Sequence, residues 1–274
     1  ENPLNGIREA MESDLAIPIL IGDTDRNRAT ADAIGWDISG LEMHHAPQAA
    51  ASEKAAELAR DGHADAIMKG QVHTDVFLKG LLPSAAGLRD KGTRCGHVFH
   101  ITAPGSDRPL LLTDAALNGA PDMATRKSCL AHAVALAQRL GIDRPKAGLL
   151  AATEDPIPTI PSTGESARIA DWAATALPQA TVQGPMALDL IFSRAAAAAK
   201  DYTSEVSGDA DIVGVPEITT GNALFKMMVY FMSGLAAGIV LGAKVPIVLT
   251  SRADPPEARL AAAAIAAIAA HRKS

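Results

Sequence analysis

Short apolar runs that stop at a glycine or a polar residue alternate with helical patterns along almost the whole chain. Ile17–Ile21 closes at Gly22-Asp23, Ala66–Met68 at Lys69-Gly70, and Val245–Leu249 at Thr250-Ser251-Arg252. Ala147–Ala152, Thr181–Gly184, Ile212–Val215 and Gly238–Leu241 have the same character. Helical patterns fall between them, over Gln48–Arg60, Val76–Leu82, Asp122–Leu140 (stopped by Gly141), Gly164–Ala176, Leu188–Lys200, Asn222–Phe231 and Pro256–His271. Continuous rather than alternating apolar strands, separated by helices, are the pattern of a mainly parallel sheet covered on both faces. His97–Thr102 and Pro109–Thr113 are the exception, a predicted strand pair joined by the turn Ala103-Pro104-Gly105-Ser106-Asp107. With aromatics at 3%, the core must be filled by Ala, Val, Ile and Leu, which suits helices layered on a sheet.

The 274 residues suffice for one large or two moderate domains, and a domain shift is expected near Asp114–Asp122. If the final strand and helix return to the first domain, the chain divides into a discontinuous first α/β domain, 1–114 plus 246–274, and a second α/β domain, 115–245, with a cleft between them. A net charge of −6 argues against nucleic acid as a partner. The longest apolar stretches, such as Leu260–Ala270, are too short to span a bilayer, and no signal peptide is visible. Cys95 and Cys129 have no zinc-site spacing and read as reduced thiols, so a cytoplasmic protein without a metal is expected.

Chemistry concentrates where the predicted strands end, because ligands of open α/β sheets sit beyond the carboxyl ends of the strands. Ser251 and Arg252 pair a hydroxyl with a guanidinium ahead of a helix start, an anion pocket in outline. In Met68–Gly80, Thr74 lies at the next helix N-terminus and Lys79 follows in the same helix; the plain alternative is a βα loop with an exposed lysine. Arg89, Lys91 and Arg94 form a positive cluster that suits an anionic ligand or a solvated loop equally. His97 and His100 are acid–base candidates, although a lone strand histidine is more often structural. Asp114 reads first as a helix N-cap and alternatively as a general base. Gly221 and Asn222 mark another helix start that either meets a ligand or is simply capped. The chain has no GxxxxGK[ST], GxGxxG or GxSxG motif, and no two-metal carboxylate cluster stands out.

Five segments together resemble the phosphate acetyl/butyryl transferase family: DAIMKGQVHTDVFLKGLL, GLRDKGTRCGHVFHI, RPLLLTDAALNGAPD, GDADIVGVPEITTGNALFK and AGIVLGAKVPIVLTSRADPPEARL. They occur in the family's order, from about Arg8 to the C-terminus, and are most similar to its butyryl-type branch and to the transferase part of enoyl-CoA hydratase–phosphate acetyltransferase proteins. The family has one more strand before the helix around Arg8, so a truncated N-terminus is expected here. The resemblance implies a two-domain fold like that of isocitrate and isopropylmalate dehydrogenases, with a cleft between the domains, in a homodimer. It implies acyl transfer between acyl-CoA and phosphate, with the coenzyme A thioester as substrate and no cofactor. Ser251 and Arg252 match the family's Ser-Arg pair and become the catalytic candidates, while Lys79 stands where the acetyl branch has arginine. Thr74, Lys79, Arg89, Arg94 and Asn222 become the phosphate- and CoA-binding set, with His97, Asp114 and Asp254 as acid–base candidates. One position departs from the acetyl branch, which has an aspartate where Ala258 stands here. The alternatives are an NAD-dependent hydroxy-acid dehydrogenase of the same fold group and a non-catalytic CoA- or acyl-phosphate-binding module.

Overall fold

The computed structural model describes residues 3–106, 108–249 and 254–271. In chain order the elements are α1 (Pro3–Glu12), β1 (Leu20–Gly22), α2 (Thr24–Ala33), β2 (Met43–His45), α3 (Gln48–Arg60), β3 (Ile67–Met68) and α4 (Thr74–Leu81). They continue as β4 (Gly96–Thr102), β5 (Leu110–Thr113), α5 (Met123–Arg139), β6 (Lys146–Leu150), α6 (Pro161–Ala176) and β7 (Thr181–Met186). Then follow α7 (Leu188–Phe192), α8 (Arg194–Ala199), β8 (Ile212–Gly214), α9 (Ile218–Lys226), β9 (Leu235–Leu241), β10 (Ile247–Val248) and α10 (Pro256–Ala270). Among the described residues no helix is long and apolar enough to cross a membrane.

The chain divides into two units, Glu1–Arg94 with Ala237–Ser274, and Cys95–Ala236. The crossings therefore fall at 94/95 and 236/237 rather than at the expected 114/115 and 245/246. Strand pairing explains the first difference. β4 pairs antiparallel with β5 from Val98↔Thr113 to Ile101↔Leu110, and β5 pairs parallel with β8, which carries all three strands into the second unit.

In the first unit β1 and β2 form a parallel pair, and β10 pairs parallel with β3 and antiparallel with β9. Leu20, Ala31, Trp36 and Ile38 make a buried cluster beneath β1, with Leu4 and Ile7 of α1 packed against it. α1 also lies on α10 so closely that a Cβ on Gly6 would come within 2.9 Å of the Arg259 Cβ.

In the second unit β5, β8, β6 and β7 run parallel as neighbours, with β4 antiparallel at the β5 side. One face is sealed by Phe99, Leu112, Leu150, Leu190, Ile191, Val206 and Val213, all nearly inaccessible. Asp122, not Asp114, caps the following helix α5, accepting from the Thr125 N–H at 2.7 Å, and Gly141 ends that helix with φ of 95°. The predicted helix over 188–200 is two helices, because Ser193 turns extended (φ −132, ψ 112) and caps α8 through the Ala196 N–H.

α9 packs on the turn after β5 without room for a side chain. A Cβ at Gly221 would lie 2.8 Å from both the Ala115 Cα and Cβ, and 2.9 Å from a Val215 methyl. Gly→Ala normally favours a helix by about 1 kcal/mol. Here Gly221→Ala is expected to destabilise instead, by about 2 kcal/mol of overpacking. A chemical-denaturation midpoint equal to or above wild type would refute this close contact.

Candidate active site

In the first unit, parallel pairing brings the carboxyl ends of β3 and β10 side by side, and the Lys69 N–H donates to the Val248 carbonyl at 3.1 Å. The chain runs on from Val248 toward Ser251 and Arg252, but both candidates, with Thr250, lie outside the described residues. Asp254 resumes the chain half-buried, two residues ahead of α10, and Ala258 is buried inside that helix. An acidic side chain at 258 would therefore need room that this chain fills by packing.

β3 leads through residues 69–73 into α4. Thr74 is the first helical residue and is exposed, with His73 before it supplying no side-chain cap. The first N–H groups of a helix have no intrahelical partner and attract anions, and a threonine hydroxyl beside them adds a donor. Asp75 puts a negative charge in the same turn. It pairs with Lys79 one turn on, at 4.0 Å, with both side chains largely in solvent. An exposed pair of this length is worth little, so Lys79 is available to a better anion. Arg89 is engaged differently. Its Nε donates to the Leu82 carbonyl at 2.8 Å and its Nη1 to the Thr93 carbonyl at 3.3 Å. The guanidinium thus ties the loop after α4 together. Arg94 ends this loop half-buried.

The second unit holds His97, Asp114 and Asn222. His97 is wholly buried in β4, edge-on to Phe99 at 4.3 Å, and neither ring nitrogen has a hydrogen-bond partner among the described residues. Burial pushes its pKa down to about 4, against the pull of the neighbouring Asp114 charge. Asp114 is buried with both oxygens occupied. Oδ1 accepts the Ala116 and Leu117 N–H groups at 3.0 and 2.9 Å, and Oδ2 accepts Asn118 Nδ2 at 2.6 Å. The Cys129 thiol also faces Oδ2 at 3.8 Å, and burial together with that carboxylate raises the thiol to about 12, so it stays protonated. Asp114 accordingly anchors the turn at 114–118 rather than capping a helix, and His97 is a packed core ring. Neither has the solvent-reaching placement of a group that exchanges protons with substrate.

Asn222 sits one turn inside α9, where its Nδ2 reaches toward the Ala115 carbonyl at 3.5 Å. The helix begins earlier, at Ile218, and Glu217 caps it by accepting the Thr219 and Thr220 N–H groups at 2.6 and 2.7 Å. A carboxylate already fills that N-terminus, so it has no vacancy for a second anion. Sequence reasoning assigned no role to Glu217 or to Lys69, which is 5% exposed at the end of β3. The available signal was a lysine directly after the apolar Ala66-Ile67-Met68.

Residues 42–267 match the family model described as phosphate acetyl/butaryl transferase. The chain is 38% identical over its full length to a phosphate acetyltransferase of Rhizobium meliloti, covering 87% of that protein. It is 37% identical over its full length to a phosphate butyryltransferase of Clostridium acetobutylicum, covering 91% of that one. Among solved structures it is similar to a branched-chain phosphotransacylase from Enterococcus faecalis V583, with a TM-score of 0.83 and 33% identity over 98% of this chain and 94% of that one.

Proposed function

We infer, since this chain belongs to the phosphate acetyl/butyryl transferase family, that it catalyses reversible acyl transfer between a short-chain acyl-CoA and inorganic phosphate, giving acyl phosphate and CoA. The observation that carries the reading is similarity over the entire chain, together with a backbone match at a TM-score of 0.83.

In the proposed reaction a phosphate oxygen attacks the thioester carbonyl carbon in a ternary complex. The carbonyl oxygen takes the electron pair, then returns it as the C–S bond breaks and the CoA thiolate leaves. A thiol of pKa about 8.5 is a good leaving group, so the protein's task is placement and charge. Aligning two bound reactants supplies up to about 7–11 kcal/mol, and each donor aimed at the oxyanion about 3. Arg252 is proposed to hold phosphate and the carbonyl oxygen, with Ser251 donating to the reacting oxygen or to the departing sulfur. Thr74 and Lys79 extend the anion site, supported by the exposed first turn of α4 and the weakly held ammonium. Arg89 and Arg94 receive CoA phosphates or the substrate anion. Asp254, half-buried just before α10, is the remaining acid–base candidate.

The finer fold, of the isocitrate and isopropylmalate dehydrogenase kind, a homodimer and a cytoplasmic location belong to the same proposal. A discontinuous division of the chain into two α/β units supports the first of these.

Thiol release from acetyl-, propionyl- and butyryl-CoA, each with and without phosphate, tests the function. Release that requires phosphate, with a matching yield of acyl phosphate, is the expected result, and the panel reports chain-length preference directly. Equal release without phosphate, or binding without turnover, would sink the proposal. NAD reduction with a hydroxy acid would replace it by a dehydrogenase.

A further inference from the structure

The buried ammonium of Lys69 serves the turn that leads into α4. Its Nζ donates to the carbonyls of Gly70 and Val72 at 3.3 and 3.1 Å. Gln48 Nε2 holds the carbonyl between them, that of Gln71, at 2.8 Å, and Arg26 Nη2 holds the Gln71 side-chain oxygen at 3.2 Å. Three successive backbone carbonyls are therefore held by side-chain donors, two by Lys69 just after β3 and one by Gln48 of α3, while Arg26 of α2 steadies the Gln71 side chain. Peptide planarity then turns the N–H groups of the Gly70–Gln71 and Val72–His73 bonds away from the ammonium.

Closing a short βα turn does not call for a cation, since glycine and asparagine do so without the cost of burying a charge. A fixed cation behind this turn has an electrostatic consequence besides. Asp75 sets a negative charge in the first turn of α4, where it opposes an incoming anion. The Lys69 side chain, buried at the end of β3, is screened by water less than the exposed Lys79.

We propose that Lys69 is a positioning residue for phosphate: by holding the Gly70 and Val72 carbonyls it sets the 69–73 turn that presents Thr74 and the first turn of α4 to the substrate anion. The inference rests on the phosphotransacylase reading and assigns a determinant of its phosphate side.

The test uses steady-state phosphorolysis of a fixed acyl-CoA by wild type, Lys69→Met and Lys69→Arg, with thermal melting of each. Lys69→Met is expected to raise KM for phosphate at least about tenfold while KM for acyl-CoA changes less than about twofold. Lys69→Arg, which keeps charge and two donors, is expected to recover most of that loss. A merely structural role would lower melting temperature and active fraction without separating the two KM values. An unshifted phosphate KM in folded Lys69→Met, or equal shifts for both substrates, overturns the inference and leaves the parent reading intact. If Lys69→Met does not fold, a phosphate KM in Lys69→Arg as poor as that of a Thr74→Ala control overturns the inference, and recovery close to wild type supports it. Absence of phosphate-dependent release from wild type overturns the parent reading and this inference with it.

Discussion

Arg252→Lys is expected to lower kcat for acyl-CoA phosphorolysis on the order of a hundredfold, with melting temperature unchanged. Lysine keeps the charge and loses the planar fork. If the side chain only attracted phosphate from solution, charge alone would suffice and the loss would be small. If it spans a phosphate oxygen and the developing oxyanion together, two directed donors are required, and removing one costs about 3 kcal/mol. Ser251→Ala separates the neighbouring role. Unchanged turnover would remove the serine from the mechanism, whereas loss in kcat with an unmoved KM would place its bond in the transition state. Wild-type turnover by Arg252→Lys would reject the assignment of the arginine outright.

A position six residues beyond the arginine narrows what the proton acceptor is. Ala258, where the acetyl branch carries an aspartate, is buried in α10 at 3% exposure, on the side that packs. A carboxylate there would need a partner or a route to solvent. The leaving thiolate requires little help, so loss of a base at this position is chemically tolerable. Asp254→Asn measures what Asp254 contributes to base catalysis in this turn, and a pH–rate profile like that of wild type would show that Asp254 moves no proton.

Elements carried by local pattern were legible, and those set by distant pairing were not. α3 follows its Ala/Glu/Lys run from Gln48 to Arg60, because periodicity and propensity agree there. α2 escapes the sequence pattern because TDRNRATADA buries only Ala31 and presents no apolar face, and β2 because two half-covered residues and an exposed one carry no period. The 17–21 run begins its strand only at Leu20, with Ile17 89% exposed, since pairing with β2 starts at Leu20↔Met43. The sequence puts the first domain crossing one residue beyond β5, because a hairpin reads the same whichever unit its outer strand joins. At the site, the same limit applies. Asp114 and His97 carried the right side chains for acid–base work, but burial and saturation by Ala116, Leu117 and Asn118 are contacts made after folding. The Glu217 cap illustrates the converse, since one carboxylate three residues before Thr220 moved the start of α9 four residues ahead of Asn222.

His97 gives the protein an acid-labile core, and His97→Leu is expected to remove that lability. Folded His97 takes up a proton only near pH 4, while the same group in the unfolded chain titrates near 6.5. Between these values the unfolded state binds more protons, so stability is full above about pH 6.5 and falls as pH drops toward 4. At about 1.4 kcal/mol per pKa unit the loss comes to about 3 kcal/mol. His100, half-buried in the same strand and also held low by burial, acts in the same direction and leaves a residual slope in the variant. The stabilised carboxylates belong to a more acidic window. Asp209 is held near 2 by hydrogen bonds from Lys146 and Arg108, and Glu217 near 2 by those from Thr220, so their contributions fade below their ordinary values of 3.8 and 4.5. Leucine also removes two buried ring nitrogens that lack partners, which makes the variant at least as stable as wild type at pH 7. Urea unfolding at pH 7, 5.5 and 4.5 separates the outcomes. Parallel losses in wild type and His97→Leu would show that the ring is not the group being protonated, whereas a profile that flattens in the variant alone ties the acid sensitivity of this core to one imidazole in β4.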